Sequence, residues 1–441
     1  MSHPTSRPAP KTYHVKSFGC QMNVYDGERM AELLGSEGMT AVPEREADLV
    51  VLNTCHIRER AVEKVYSDIG RQRRDDGSRP MIAVAGCVAQ AEGAEVQTRT
   101  RDVDIVVGPQ AYHSLPQLIA RAAAGERVVD LDLPGLDKFA VLPKRRRVGA
   151  SAFLTVQEGC DKFCTYCVVP YTRGGEVSRS FTALMDEAKA LIDGGAVEIT
   201  LLGQNVNAWT DGPRGLHDLI IALDKLPGLL RIRYMTSHPN DMTEGLIRAH
   251  GDVEKLMPFL HLPVQAGNDR ILKAMNRKHS VESYCSIIDQ ARAARPDIAV
   301  SGDFIVGFPG ETDAEFEDTL RLVERVNYSL AFSFKYSSRP GTSAADMDGH
   351  VSAAVMDERL QRLQALLNQK QTAFNQASVG KRTTILLERN GKLTGQKVGK
   401  TPWLQSAHLF TDAPIGSVLE VELTSAGANS LAAELVSKVP A

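Results

Sequence analysis

Eight residues near the middle of the chain hold three thiols: Cys160, Cys164 and Cys167, spaced C-x3-C-x2-C within GCDKFCTYC. A structural zinc takes four ligands, ordinarily as two separated pairs, and no second pair stands nearby. Three thiolates instead hold three irons of a four-iron cluster. The fourth iron, which a fourth cysteine would ordinarily close, stays open. An open iron accepts an exogenous chelator. The amine and carboxylate of S-adenosylmethionine suit it, and that cofactor is a source of radical chemistry.

The other cysteines are Cys20, Cys55, Cys87 and Cys285. Seven is an odd number, and the N-terminus MSHPTSRPAPK has no apolar export stretch, so a disulfide framework is not expected. Cys285 lies in SVESYCSIIDQARAA, of helical periodicity, and reads as a small buried hydrophobe. Cys20, Cys55 and Cys87 each end an apolar stretch, in SFGC, VLNTC and VAGC. Across residues 11–127, strand candidates TYHVKSF, ADLVVLN, PMIAVAG and VDIVVG alternate with amphipathic segments, which predicts a parallel α/β sheet. Loops at the carboxyl ends of parallel strands meet in one crevice. Three cysteines distant in sequence therefore converge.

Residues 128–150 read as a connector, whose run Lys144-Arg145-Arg146-Arg147 is either a solvated linker or a phosphate-binding patch. Residues 151–340 alternate again, with strands in SAFLTVQ, AVEITLLG, LLRIRYMTS, MPFLHLPVQ, IAVSGDFIVG and YSLAFSFKYS. Six βα units predict a partial barrel with its working face at the carboxyl ends of the strands. Gly194-Gly195 reads as a helix C-cap, and Thr312 with Glu315 as a capping box. One long helix is expected over 351–378. A small β-barrel follows, with a hairpin turn at Asn390-Gly391. Residues 379–441 carry seven Lys and Arg against five acidic residues, on a chain whose 51 Lys+Arg and 54 Asp+Glu leave it at −3. That excludes a uniformly basic coat but allows a local RNA-binding patch. Trp403 is a candidate to stack on a base or to fill the small barrel's core. No apolar run approaches the roughly 18 residues of a spanning helix, and cytoplasm is the expected compartment.

The stretch GCDKFCTYCVVPYTRGGE resembles the cluster loop of radical S-adenosylmethionine enzymes, and the whole chain resembles the methylthiotransferases, MiaB-type tRNA enzymes most closely. The matching stretches are SFGCQMNVYDGE, NTCHIRERAVEKVYS, AGCVAQ, LLGQNVNAW, TSHP, HLPVQAGNDRILKAMNR, DFIVGFPGET and TPWLQSAHLF. The branch that modifies a ribosomal-protein aspartate has a different first-cysteine context. Two departures, His56 and Ala266, are not ligands and bear on substrate contacts.

The resemblance implies an α/β fold of three parts: an N-terminal parallel α/β domain over 11–127, a partial (βα)6 radical SAM barrel over 146–378, and a C-terminal small β-barrel of TRAM type over 379–441. It implies methylthiolation of carbon 2 of N6-isopentenyladenosine beside the tRNA anticodon. That C–H is not acidic, so a deoxyadenosyl radical takes its hydrogen. Two 4Fe-4S clusters are implied. Cys160, Cys164 and Cys167 hold the one that reduces S-adenosyl-L-methionine; Cys20, Cys55 and Cys87 hold the one that carries sulfur. Gly174, Gly175 and Glu176 would receive the amino end of the cofactor, or form a plain turn. Gly307 would shape its adenine pocket or simply turn the chain. Phe163 and Tyr166 would pack on the cofactor or within the loop. Gln204 and Asn205 would bond cofactor or substrate, or be structural amides. The implied partners are tRNA and an electron donor such as flavodoxin or ferredoxin, with no membrane. Two other readings remain: a methylthiotransferase for threonylcarbamoyl adenosine, disfavoured by QMNVYDGE and HLPVQAG, and a non-catalytic Fe–S RNA-binding protein.

Overall fold

The computed structural model describes residues 7–56, 59–74, 76–133, 138–143, 145 and 148–436. The chain divides into two compact units. One comprises Met1–Lys144, Glu158–Asp161 and Cys167–Glu176; the other Arg145–Gln157, Lys162–Tyr166 and Val177–Ala441.

The first unit is built on a six-stranded parallel sheet of order β2-β1-β3-β4-β5-β6. Its strands are β1 (Thr12–Ser17), β2 (Thr40–Ala41), β3 (Leu49–Thr54), β4 (Met81–Gly86), β5 (Ile105–Val107) and β6 (Val128–Asp130). LVVLNT and MIAVAG are buried throughout, as strands covered on both faces must be. Side chains alternate between two cores. Leu49 and Val51 meet Met30, Leu33 and Leu34 of helix α1 (Gln21–Ser36); Val50 and Leu52 meet Val65 and Ile69 of α2 (Glu59–Arg71). The short strand β6 corrects the connector reading: Val128–Asp130 pairs with β5 at the sheet edge. Of the basic run, Arg145 is buried and donates to the carbonyl of Phe153 at 3.0 Å, while Lys144, Arg146 and Arg147 lie outside the described residues.

In the second unit all six expected strands form: Ser151–Thr155, Glu198–Leu202, Arg231–Tyr234, Phe259–His261, Ala299–Val306 and Leu330–Lys335. They pair in parallel as two sheets of three, and an Ile232–Leu256 bridge links the third strand to the approach of the fourth. Leu, Ile and Val from strands and helices fill one continuous core, which also buries Cys285. Helix Phe181–Asp193 is capped by Gly194, and Thr312 and Glu315 form the expected capping box. The long helix spans Ala353–Gln376.

The C-terminal strands close a five-stranded barrel around Ile385, Leu387, Leu409, Val421, Leu423 and Leu431. Its first hairpin forms, but the loop runs from Gly391 to Gly395, and the left-handed glycine is Gly395 (φ +75°). Two buried arginines from the third large-barrel strand tie the small barrel on. Arg231 donates to the carbonyls of Lys400 (2.8 Å) and Thr384 (3.1 Å). Arg233 donates to those of Pro402 (2.7 Å) and Thr401 (2.9 Å) while its Nε bonds Glu198 (2.9 Å). Trp403 joins this seam, with its indole N–H on the carbonyl of Asp297 at 2.8 Å.

Candidate functional site

Cys20, Cys55 and Cys87 follow β1, β3 and β4, adjacent strands of one sheet, at their carboxyl ends. Ser17 is opposite Asn53 and Asn53 opposite Ala85, so the three loops leave the sheet side by side. Cys20 caps α1, and Cys87 opens helix α3 (Cys87–Glu92). Unpaired N–H groups at helix starts favour thiolates. Gly19 has φ +98°, and a Cβ there would lie 2.4 Å from the Cβ of Cys55 and 2.9 Å from its sulfur. Only glycine lets these loops approach so closely. A hydrogen bond with Cys55 lowers the pKa of the Cys20 thiol, with further help from Arg173. Gly86 repeats the device, at φ +87°, with Thr54 O 2.6 Å from where its Cβ would be. Buried amides stitch the loops together. Asn53 Nδ2 donates to Asn23 O at 2.6 Å, and Asn23 Nδ2 to Phe18 O at 2.8 Å.

Arg173 brings a buried positive charge to this set. Its Nη2 donates to Asp26 Oδ2 at 2.6 Å and Asn23 Oδ1 at 3.3 Å, and the Arg173 and Asp26 side chains are 3% and 1% exposed. Glu158 lies 3.8 Å from Nη1 and is held by Lys138 (2.8 Å) and Gln110 (2.9 Å). Burial pushes the Cys87 thiol up, and Arg173 pulls it back. Sequence reasoning misses Asn23, Asp26 and Arg173, although Asn23 and Asp26 stand one helical turn apart in QMNVYDGE.

Three thiols gathered from loops of one sheet, with no fourth ligand of their own kind in the set, fit a cluster in which each thiolate would take its own iron.

The Cys160–Cys167 loop uses the same backbone device. Gly159 (φ +74°) precedes Cys160, and a Cβ there would lie 1.9 Å from Gly175 O. Cys160 N donates to Gly174 O at 3.3 Å. Within the second unit, Thr165 N bonds Met275 O (3.1 Å), and its hydroxyl bonds Ala274 O (2.9 Å). Lys162 pairs with Asp241 at 2.8 Å, and Asp241 also accepts from Asn205 Nδ2 at 2.8 Å. Phe163, Thr236, Gln265, Asn276 and Lys278 are five of the seven non-glycine residues with left-handed backbone among the described residues. Phe163 lies in the cysteine loop, Thr236 and Gln265 follow barrel strands, and Asn276 and Lys278 lie between the helices Asp269–Ala274 and Val281–Ala294. Close by, burial keeps His238 neutral, with its pKa pushed down to about 2.

The remaining expected residues divide. Gly174 (φ +84°) ends the helix Val169–Arg173, and Glu176 N donates to Asp161 Oδ1 at 3.1 Å. A Cβ on Gly175 would stand 3.3 Å from that same carboxylate oxygen. Phe163 is 52% exposed, whereas Tyr166 packs against a cluster that includes Ile271, Met275 and Phe308. Asn205 is buried with Oδ1 unbonded, and Gln204 is half-buried beside it. Gly307 (φ +72°) leaves room for Met356, whose Cγ is 2.2 Å from where a Cβ would be, and its N–H bonds Glu311 at 2.7 Å.

Residues 12–108 match the model of Uncharacterized protein family UPF0004, and residues 154–323 that of the Radical SAM superfamily. A relative from Novosphingobium aromaticivorans, named tRNA-2-methylthio-N(6)-dimethylallyladenosine synthase, is 67% identical over 436 residues, 98% of each chain. Relatives of the same name from Zymomonas mobilis and Cereibacter sphaeroides are 65% and 58% identical, over 97% and 96% of this chain and 97% and 98% of theirs. Among solved structures, the radical S-adenosylmethionine methyltransferase TsrM from Kitasatospora setae shares the fold at 14% identity, with a TM-score of 0.55 over 76% of each chain. Given full-length relatives at 58–67% identity, the chain belongs to the family of tRNA-2-methylthio-N(6)-dimethylallyladenosine synthases, within the Radical SAM superfamily.

Proposed function

We propose that this chain adds a methylthio group to carbon 2 of N6-isopentenyladenosine beside the tRNA anticodon. The observation that carries the reading is the pairing of a three-thiol loop, Cys160 to Cys167, with three thiols gathered from separate strands, Cys20, Cys55 and Cys87. Each set would hold a 4Fe-4S cluster with one open iron. When bound, the first would supply the electron that cleaves S-adenosylmethionine, and the second would supply the sulfur that is methylated and transferred.

The chain's own groups do the rest. Gly174 and Gly175 would let backbone approach the cofactor closely, and Gly174 to Glu176 would receive its amino end. Asn205, held by Asp241, offers its unbonded Oδ1 as an acceptor. Arg173 offsets the negative charge of the Cys20, Cys55 and Cys87 set. Lys381, Arg389 and Lys392, all exposed, would meet tRNA phosphates from a TRAM-type barrel over 379–441. We assign the sulfur-bearing domain to 11–127, extended to 130 to take in β6, and the radical core to 146–378. A flavodoxin or ferredoxin would deliver the electron, in the cytoplasm where tRNA is modified. Among the described residues no helix is long and apolar enough to cross a membrane.

The test uses anaerobically reconstituted protein, reductant, S-adenosylmethionine and tRNA that carries isopentenyladenosine. Nucleoside mass spectrometry should find the 2-methylthio derivative, and 5′-deoxyadenosine should accumulate. Modification of threonylcarbamoyl adenosine instead would overturn the substrate assignment. Absence of 5′-deoxyadenosine would leave only an RNA-binding Fe–S protein.

A further inference from the structure

The loop between helices Asp269–Ala274 and Val281–Ala294 is folded onto the cysteine loop with more strain than a connector needs. Asn276 and Lys278 both have φ +57°, a left-handed conformation that L side chains adopt at a cost. Asn276 Nδ2 donates to the carbonyls of Lys162 (3.3 Å) and Phe163 (2.9 Å), and Thr165 returns two bonds to Ala274 and Met275. The residue held between the two strained positions is Arg277. It is buried, and its Nη1 lies 3.6 Å from Cys164 Sγ, within reach of an N–H···S hydrogen bond. Its Nη2 donates to Pro263 O. Strain, stitching and burial together aim one cation at one thiol.

We propose that Arg277 is a positioning residue that sets the reduction potential of the cluster held by Cys160, Cys164 and Cys167. The proposal rests on the reading that these cysteines hold the radical cluster. Net charge and hydrogen bonds to sulfur govern such potentials. A guanidinium against Cys164 stabilises the reduced state, which carries one more negative charge, and so raises the potential. The step is a bare electron transfer: one electron passes from an external low-potential reductant to the oxidised cluster, no bond breaks, and Arg277 keeps its proton. The contact of Arg277 is with Cys164, so its effect is expected at the cluster that Cys164 would help to hold.

The test is a redox titration of full-length, two-cluster protein followed by electron paramagnetic resonance. The radical cluster is the signal that changes when S-adenosylmethionine is added. Arg277→Met should keep its iron yet make that cluster at least tenfold harder to reduce, a fall of 59 mV for a one-electron couple. The second cluster should not move, and Arg277→Lys, which keeps the charge, should restore part of the shift. A Met variant with full iron and an unchanged midpoint would overturn the proposal, as would an equal shift in both clusters. Should the Met variant hold too little iron to titrate, the Lys variant decides: a lowered midpoint supports the role and an unchanged one ends it. A wild-type protein with no signal responsive to S-adenosylmethionine would remove the underlying reading, and the proposal with it.

Discussion

Glycine precedes cysteine three times, at Gly19, Gly86 and Gly159, and each glycine is left-handed with no room for a Cβ. The pairs are visible as letters, but their meaning is not, because the atoms that exclude a side chain come from other loops. At Gly159 the obstacle is Gly175 O at 1.9 Å; at Gly86 it is Thr54 O at 2.6 Å. Gly159→Ala should therefore lower iron retention at the Cys160 loop, and Gly86→Ala at the other set. Backbone strain alone costs about 1–2 kcal/mol, and the clash adds to it. Iron assays on each variant, made alongside a triple-cysteine variant of the opposite set, check this. Equal iron loss from both sets would contradict it. Arg173 is likewise illegible in the sequence, since Asp26 lies 147 residues away and only folding joins them. His250 places its Nε2 2.6 Å from the Tyr234 hydroxyl. Burial pushes its pKa down to about 3. The unfolded chain binds that proton near pH 6.5 and the folded chain does not. The stability present above 6.5 is thus lost as pH falls toward 3, by up to about 1.4 kcal/mol per unit. The melting temperature should fall between pH 7 and 5 less steeply for His250→Gln than for wild type. Parallel slopes would contradict the assignment.

At the scale of elements, strand and helix alternation carries most of the fold. Buried parallel strands such as MIAVAG have no polar interruption, and helices such as Phe181–Asp193 end at readable caps. The shortest elements escape the sequence. Thr40–Ala41 and Val128–Asp130 span two and three residues, too few to show a period, and they exist because the neighbouring strand offers an edge. The role of Trp403 is also hidden. It bonds Asp297 rather than filling the small barrel's core, and Arg231 and Arg233 complete that seam. Docking between elements has no local signature. Arg233→Met would leave Glu198 buried beside the carbonyls of Thr401 and Pro402 without their donor. Losing one partner of a buried pair costs about 3–5 kcal/mol. Chemical denaturation should show a loss of that order, and proteolysis should open the 377–381 junction. Wild-type stability and resistance would show that the seam is incidental.

For the whole molecule, charge is the handle on tRNA. The chain is −3 overall, yet Lys381, Arg389 and Lys392 stand exposed on the small barrel. Changing these three to Glu should weaken tRNA binding and flatten its logarithmic salt dependence, by roughly 0.7–0.9 for each phosphate no longer neutralised, with cofactor cleavage intact. An unchanged salt slope would place the RNA elsewhere. Separate jobs for the two cysteine sets are tested in the full-length chain with Cys20, Cys55 and Cys87 all changed to Ala. Under strong reductant, with S-adenosylmethionine and isopentenylated tRNA, 5′-deoxyadenosine and modified nucleoside are measured by mass spectrometry in the same reaction. The variant should still release 5′-deoxyadenosine and should make no 2-methylthio product. Methylthiolated tRNA from that variant would contradict the division of labour between the two sets.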